Sequence, residues 1–227
     1  MPKKVRLICV LIGYVFGLFQ TAYFIGKANG IDIRQHGSGN SGTTNALRVL
    51  GTKAGLMVFF GDCMKCILAV VAVRLIFGET YHNIIYLLCL YTGAGAILGH
   101  NYPFYMGFKG GKGIAATAGM VISFHPYFVI TGVLTFFGIF FTTHYVSLGS
   151  LLVYTVLMIQ LVISGQMGLF PEMSQANLIE MYVLFFALAC LAFWKHRQNI
   201  VRLAKGVERK TYLTKKNKLD VETKSEE

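Results

Sequence analysis

Residues 114–164 form a run of 51 positions without a single Lys, Arg, Asp or Glu. The core of a soluble domain does not absorb so long an uncharged, apolar stretch. A bilayer does, because crossing its hydrocarbon takes about 20 apolar residues per helix. Four more segments approach that length: 5–25, 54–77, 84–98 with its neighbours, and 178–194, the last with one acid, Glu180, near its start. Composition agrees: the chain is 55% apolar, its mean hydropathy is +0.57, and 14% of its residues are charged, against about 25% in a soluble domain. The pattern specifies an all-α, polytopic integral membrane protein.

Charge sets the expected topology. The loop at 27–53 carries Lys27, Arg34, Arg48 and Lys53 against Asp32; the piece with Lys109 and Lys112 has no acid; and the chain from Lys195 onward is rich in cations. The positive-inside rule places all three on the cytoplasmic side. The links at 78–82 and 165–177 hold acids and no Lys or Arg, so they belong outside. Parity then requires 114–164 to cross an odd number of times. Three short or partly re-entrant helices fit, with breaks near His125-Pro126 and Thr142-Thr143-His144. The expectation is about seven transmembrane or partly re-entrant helices. One feature opposes it: Lys3, Lys4 and Arg6 would lie outside. The amino-terminal apolar stretch runs past signal-peptide length and lacks a good cleavage site, so it is read as an uncleaved first helix.

Cys63-x-x-Cys66 lies within the second expected helix and has no partner pair at metal-site spacing, so helix packing accounts for it. Asp62 and Lys65 share that helix at i, i+3 and are expected to form a structural ion pair. His100, His125 and His144 are read as satisfied polar residues at helix ends.

Three polar pieces stand out from this oily background. The first, GSGNSGTTNALRVLG at 37–51, packs glycines, hydroxyls and amides into one loop that leads to Arg48. Small residues let backbone approach a ligand, N–H groups and hydroxyls suit anionic oxygens, and arginine adds a planar fork of donors. The second is GHNYPFYMGFKGGKG at 99–113, and the third HRQNIVRLAKGVERK at 196–210. In the third, His196 and Asn199 fall one turn apart and so share a helix face. Together the pieces point to anion chemistry at a membrane surface. An anion transporter or channel is the alternative, but no internal repeat of the kind many transporters carry is present. GFKGGKG is not a nucleotide-binding loop, since Gly113 follows Lys112 where Ser or Thr is required. No histidine has an aspartate five residues later, which removes the His-x4-Asp arrangement of acyl-CoA-dependent enzymes.

These three pieces, in this order, resemble the signatures of the bacterial acyl-phosphate:glycerol-3-phosphate acyltransferase family. The second is similar to GHxxPxFxxFKGGKGxAT, with Ala116 and Thr117 set one place late, and the Asp62-x-x-Lys65 pair also resembles the family. Ser41, Thr43 and Val207 depart from its commoner residues without touching the polar set. The resemblance spans the first helix to about Lys210. It implies one transmembrane acyltransferase domain over 1–210, a disordered charged cytoplasmic tail over 211–227, and a site open to the cytoplasmic side of a bacterial plasma membrane. The implied reaction moves an acyl group from acyl phosphate to the 1-hydroxyl of glycerol 3-phosphate. Membrane lipids and the enzyme that supplies acyl phosphate are the implied partners, with no nucleic acid, metal or cofactor.

By the same resemblance, Ser38 and Arg48 act on the reacting centre, with Gly37, Gly39, Asn40, Thr44 and Asn45 lining the phosphate. Lys109, Gly110, Gly111, Lys112 and Gly113 bind glycerol 3-phosphate or the acyl-phosphate head. His196 and Asn199 complete the catalytic set, and Glu208 orients a cation or the glycerol hydroxyls. The chemistry fits the residue types. An acyl phosphate is an activated anhydride, so transfer needs no enzyme nucleophile once two anions are held together and the oxyanion is stabilised. Whether His196 or a substrate phosphate takes the hydroxyl proton stays open at this level.

Overall fold

The computed structural model describes residues 2–213. Among them there are ten α-helices and no strand: α1 Pro2–Gly17, α2 Thr21–Ala28, α3 Thr43–Leu50, α4 Thr52–Phe77, α5 Ile85–Asn101, α6 Ile114–Phe124, α7 Pro126–Thr143, α8 Val146–Gln166, α9 Gln175–Lys195 and α10 Arg197–Ala204. Six spans are long and apolar enough to cross a membrane, α1 and α2 counting as one, and α6 is a shorter apolar seventh. The expected breaks in 114–164 fall where sequence places them. His125 caps α7 by accepting the Tyr127 N–H at Nδ1, with Pro126 at the first helical position, and His144 ends α7 in the left-handed region.

Small residues let the central helices approach closely. Gly13 and Gly17 of α1 face Gly95 and Gly99 of α5, and a Cβ on any of the four would overlap backbone of the partner helix. Without water to drive association, membrane helices rely on this close packing. Gly119 of α6 meets the Cys63 backbone in the same way. The apolar surface points outward instead: Leu134 and Phe141 of α7 are 68% and 61% exposed, as suits residues solvated by lipid tails.

The first span is not one helix. Between α1 and α2 the chain breaks at residues 18–20, and side chains satisfy the groups set free. Tyr105 Oη donates to Leu18 O at 2.6 Å, Lys65 Nζ to Phe19 O at 2.6 Å, and Gln20 Nε2 to Gly17 O at 3.3 Å. Such repair is what a break in lipid demands. The expected Asp62–Lys65 pair is present at 2.8 Å, buried, with Thr21 Oγ1 donating to Asp62 at 2.9 Å and Lys65 donating to His100 Nδ1 at 2.8 Å. Cys63 and Cys66 are free and buried.

α6 starts at mid-depth. Ala115 O accepts from Cys63 Sγ, halfway along the 26-residue α4, and 11 residues rise only about 16 Å. Residues 102–113 therefore dip into the bundle before α6 runs on to the end where Arg74 of α4 donates to Ser123 O and Phe124 O.

Contacts sort the connections onto two ends. The amino terminus, 78–84 and 167–174 share one end, where Arg6 pairs with Glu180 at 2.5 Å and His82 lies 3.8 Å from Glu172. Of the three opposing cations, Arg6 is thus matched by Glu180 and by Asn177 Oδ1 at 3.2 Å. The loops at 29–42 and 102–113, the turn at 144–145 and the chain after His196 share the other end. All three polar pieces meet there. The expected domain limit at 210 falls inside a strap that runs on through Thr211, which is 2% exposed. The rest of the expected tail, from residue 214, lies outside the described residues.

Candidate active site

Two loops and a helix junction build the polar end. In the first loop, Gly37 and Gly39 adopt φ of 62° and 69°, a conformation glycine reaches without cost. Asn45, buried in α3, clamps the loop with its whole amide. Its Nδ2 donates to Ile33 O and His36 O, each at 3.0 Å, and its Oδ1 accepts from Ser38 N at 2.8 Å and Ser38 Oγ at 3.1 Å. Asn45 is thus a loop organiser, and Ser38 sits exposed on the rim, its side chain bonded to Asn45 alone among the described residues. Asn40 and Thr44 are half-buried.

In the second loop the glycines act through close approach. A Cβ at Gly110 would overlap His100 O, and one at Gly111 would overlap His100 Nε2 and lie 2.8 Å from Ser41 O. The N–H groups of Gly110 and Gly111 go to Asn101 O and His100 O at 3.2 and 3.1 Å, so they are not free to cradle an anion. The donors left without partners among the described residues come next, from Lys112 N to Ala116 N at the start of α6, where Gly113 adopts φ 81°. Lys109 is exposed, with no hydrogen bond from its ammonium among the described residues. The two lysines look equivalent in sequence, but the fold separates them.

The convergent group forms around Lys112. Its ammonium donates to Asn199 Oδ1; Asn199 Nδ2 donates to Glu208 Oε1 at 2.6 Å; Ser147 Oγ donates to the same oxygen at 3.0 Å, and Arg202 Nε to Glu208 Oε2 at 2.6 Å. The Glu208 side chain is 5% exposed. Its oxygens are taken by protein, so it serves as the hub that orients Asn199 and Arg202. His196 sits at the α9–α10 junction with Nδ1 2.8 Å from Ala192 O. A carbonyl only accepts, so Nδ1 carries the proton and Nε2, which has no partner among the described residues, presents a lone pair. Arg48, in the last turn of α3, reaches the same group from the far side, its Nη2 donating to Thr211 Oγ1 at 2.7 Å and Arg209 O at 3.2 Å.

Electrostatics bind these residues into one field. Burial pushes the Lys112 ammonium down to about 8; Glu208 opposes this, and Arg202, Arg48 and Lys195 reinforce it. Burial and then Lys112 push the His196 ring down to about 4, which keeps it neutral near pH 7. Burial and the neighbouring Arg209 lower the Arg48 guanidinium. Burial raises the Glu208 carboxyl, but hydrogen bonds from Asn199, Arg202 and Ser147 outweigh it and hold the group below its ordinary value. Part-buried cations with spare donors outnumber the single carboxylate of Glu208, an arrangement suited to binding anions.

Sequence reasoning did not select Ser147, Arg202 or Thr211. Arg202 lies within the third polar piece and was visible there. Ser147 and Thr211 come from the first turn of α8 and the strap, and no local pattern marks them.

Comparison with known proteins identifies the family. The family model described as glycerol-3-phosphate acyltransferase matches residues 7–206. A glycerol-3-phosphate acyltransferase of Alkaliphilus metalliredigens (strain QYMF) is 36% identical over 207 residues, covering 91% of this chain and 96% of the relative. A glycerol-3-phosphate acyltransferase 2 of Bacillus cereus is 37% identical over 209 residues, covering 92% and 96%. Among solved structures, PlsY (YgiH), an integral membrane glycerol 3-phosphate acyltransferase, matches in its glycerol 3-phosphate form with TM-score 0.76 at 33% identity, covering 91% of this chain and 96% of that one. Its lysophosphatidic acid form matches with TM-score 0.74 at 33% identity, covering 92% and 96%. This polytopic helical membrane protein, with its buried cationic end, belongs to the glycerol-3-phosphate acyltransferase family.

Proposed function

We propose that the chain transfers an acyl group from acyl phosphate to the 1-hydroxyl of glycerol 3-phosphate, giving 1-acylglycerol 3-phosphate and inorganic phosphate. The proposed setting is a bacterial plasma membrane, with the polar end facing the cytoplasm. The observation that carries this reading is the convergence of Lys112, Arg48, His196, Asn199 and Glu208 beside the free N–H groups that open α6. A helix start with unpaired N–H groups and adjacent cations is suited to a phosphate.

In this account Lys112 and the start of α6 hold one phosphate, and Arg48 with the first loop holds the other. Ser38, Gly37, Gly39, Asn40, Thr44 and Asn45 shape that loop, and Gly110, Gly111 and Gly113 shape the second, with Lys109 drawing anions to its mouth. The acyl carbonyl lies between the phosphates, and the cations stabilise the charge that develops on its oxygen. His196 accepts a hydrogen bond from the 1-hydroxyl at Nε2 and aims it. The hydroxyl proton ends on the departing phosphate, so the step balances without a charged enzyme base. The new C–O ester bond replaces the acyl–phosphate C–O bond, and no covalent enzyme intermediate forms. Glu208 acts one step back, fixing Asn199 and thereby Lys112.

The test is donor choice. Purified protein in lipid, given glycerol 3-phosphate with palmitoyl phosphate or palmitoyl-CoA, should form 1-acylglycerol 3-phosphate only with the first, releasing phosphate, and should release no CoA thiol from the second. Turnover of the CoA donor would refute the acyl-phosphate assignment. Anion flux in liposomes without any acyl transfer would refute the enzyme reading.

A further inference from the structure

The strap at 207–213 lies beyond the residues that the family model matches, yet it reaches Arg48. Thr211 is fixed from three directions. Its N–H donates to His144 O at 2.9 Å, its side chain is buried, and the neighbouring Tyr212 ring lies 4.7 Å from the His144 ring. The turn that receives it belongs to α7 and α8, while Arg48 belongs to α3, so the strap links two otherwise separate walls of the site. The upstream part of the strap is pinned as well, by Glu208 against Ser147, Asn199 and Arg202.

The Nη2 group of Arg48 has two hydrogens, and two acceptors meet it: Thr211 Oγ1 at 2.7 Å and Arg209 O at 3.2 Å. Among the described residues no acceptor meets the N–H bonds at Nε and Nη1, which face a ligand in this reading. An arginine tethered at one corner of its guanidinium presents the other two in a set direction, and a preorganised donor contributes most where charge develops. We infer that Thr211 is a positioning residue for Arg48, its hydroxyl holding the guanidinium so that the remaining N–H groups face the reacting phosphate. This rests on the reading of Arg48 as a phosphate-holding residue.

The test compares Thr211→Val with Thr211→Ser. Valine keeps the branched shape and removes the acceptor; serine keeps the acceptor. With palmitoyl phosphate and glycerol 3-phosphate, Thr211→Val should lose about tenfold or more in kcat/KM, the scale of one lost hydrogen bond to a charged group, with an unchanged melting temperature. Thr211→Ser should restore most of the rate, which also guards against a folding defect in the valine variant. A valine variant at the wild-type rate, or a serine variant as impaired as valine, overturns the inference. So does a valine variant that turns over faster, because the strap would then compete with substrate for Arg48. An inactive Arg48→Ala beside a fully active Thr211→Val overturns this inference alone. A well-folded wild type that does not turn over acyl phosphate overturns the functional reading beneath it.

Discussion

Gly111→Ala tests how tightly the second loop is held. A Cβ at this position would overlap His100 Nε2 and sit 2.8 Å from both His100 Cε1 and Ser41 O, where ordinary contact begins at 3.4 Å. The Ser41 side must therefore open by about 0.6 Å and the His100 side by more. His100 cannot swing aside cheaply, because its Nδ1 is bonded to Lys65, itself tied to Asp62 and to Phe19 O. The loop has to yield instead, carrying Lys112 with it by about 1 Å. Misplacement on that scale costs about 100-fold in rate, or about 2.7 kcal/mol of transition-state stabilisation. The assay is phosphate release from palmitoyl phosphate in the presence of glycerol 3-phosphate, alongside a thermal melt of the same preparation. Gly138→Ala in α7 is the control. A Cβ there meets nothing within 4 Å, so the helix should gain up to about 1 kcal/mol and the rate should not change. A Gly111→Ala protein with wild-type kcat/KM would refute the close-packing account of the glycine.

Three further outcomes follow from the same geometry. Lys112 works as a cation and burial pushes it down to about 8, so kcat/KM should fall about tenfold per pH unit above pH 8 as the proton is lost; Lys112→Arg should remove that limb from a pH–rate profile. Glu208→Gln removes the one charge that raises Lys112, so the same profile should show the limb moving to lower pH, with a lower plateau because Arg202 and Asn199 lose their anchor. Lys65→Met leaves Asp62, 1% exposed, as an unpaired buried charge and should cost about 3–5 kcal/mol in a detergent melt; the Asp62→Leu/Lys65→Met double variant should recover much of it.

The membrane frame was legible because hydropathy and length dictate it. The breaks at 125 and 144 were legible because Pro126 fixes its own backbone and Thr142-Thr143-His144 interrupts an apolar run. The break before α2 was not, since a single polar Gln20 gives little local signal and the partners that tolerate the break, Lys65 and Tyr105, are distant in sequence. Nor does sequence say that α6 opens at mid-depth, because that depends on Gly119 docking against Cys63. In the site, His196 and Asn199 were readable as neighbours, but not as they stand: His196 ends α9 at the junction, and Asn199 belongs to α10. Asn45 was readable as polar but not as a clamp, and the division of labour between Lys109 and Lys112 depends on the loop's path. Ser147 and Thr211 reach Glu208 and Arg48 across 61 and 163 residues of chain, a separation that only the packed bundle closes.

The most direct test of the acyl-transfer site is the rate of Arg48→Ala with palmitoyl phosphate and glycerol 3-phosphate, measured with its melting temperature against the wild type. Formation of 1-acylglycerol 3-phosphate should fall by at least about 100-fold, the scale of one lost charge-stabilising donor, while the melt stays close to wild type. A folded Arg48→Ala protein that makes product at the wild-type rate would contradict the proposed site.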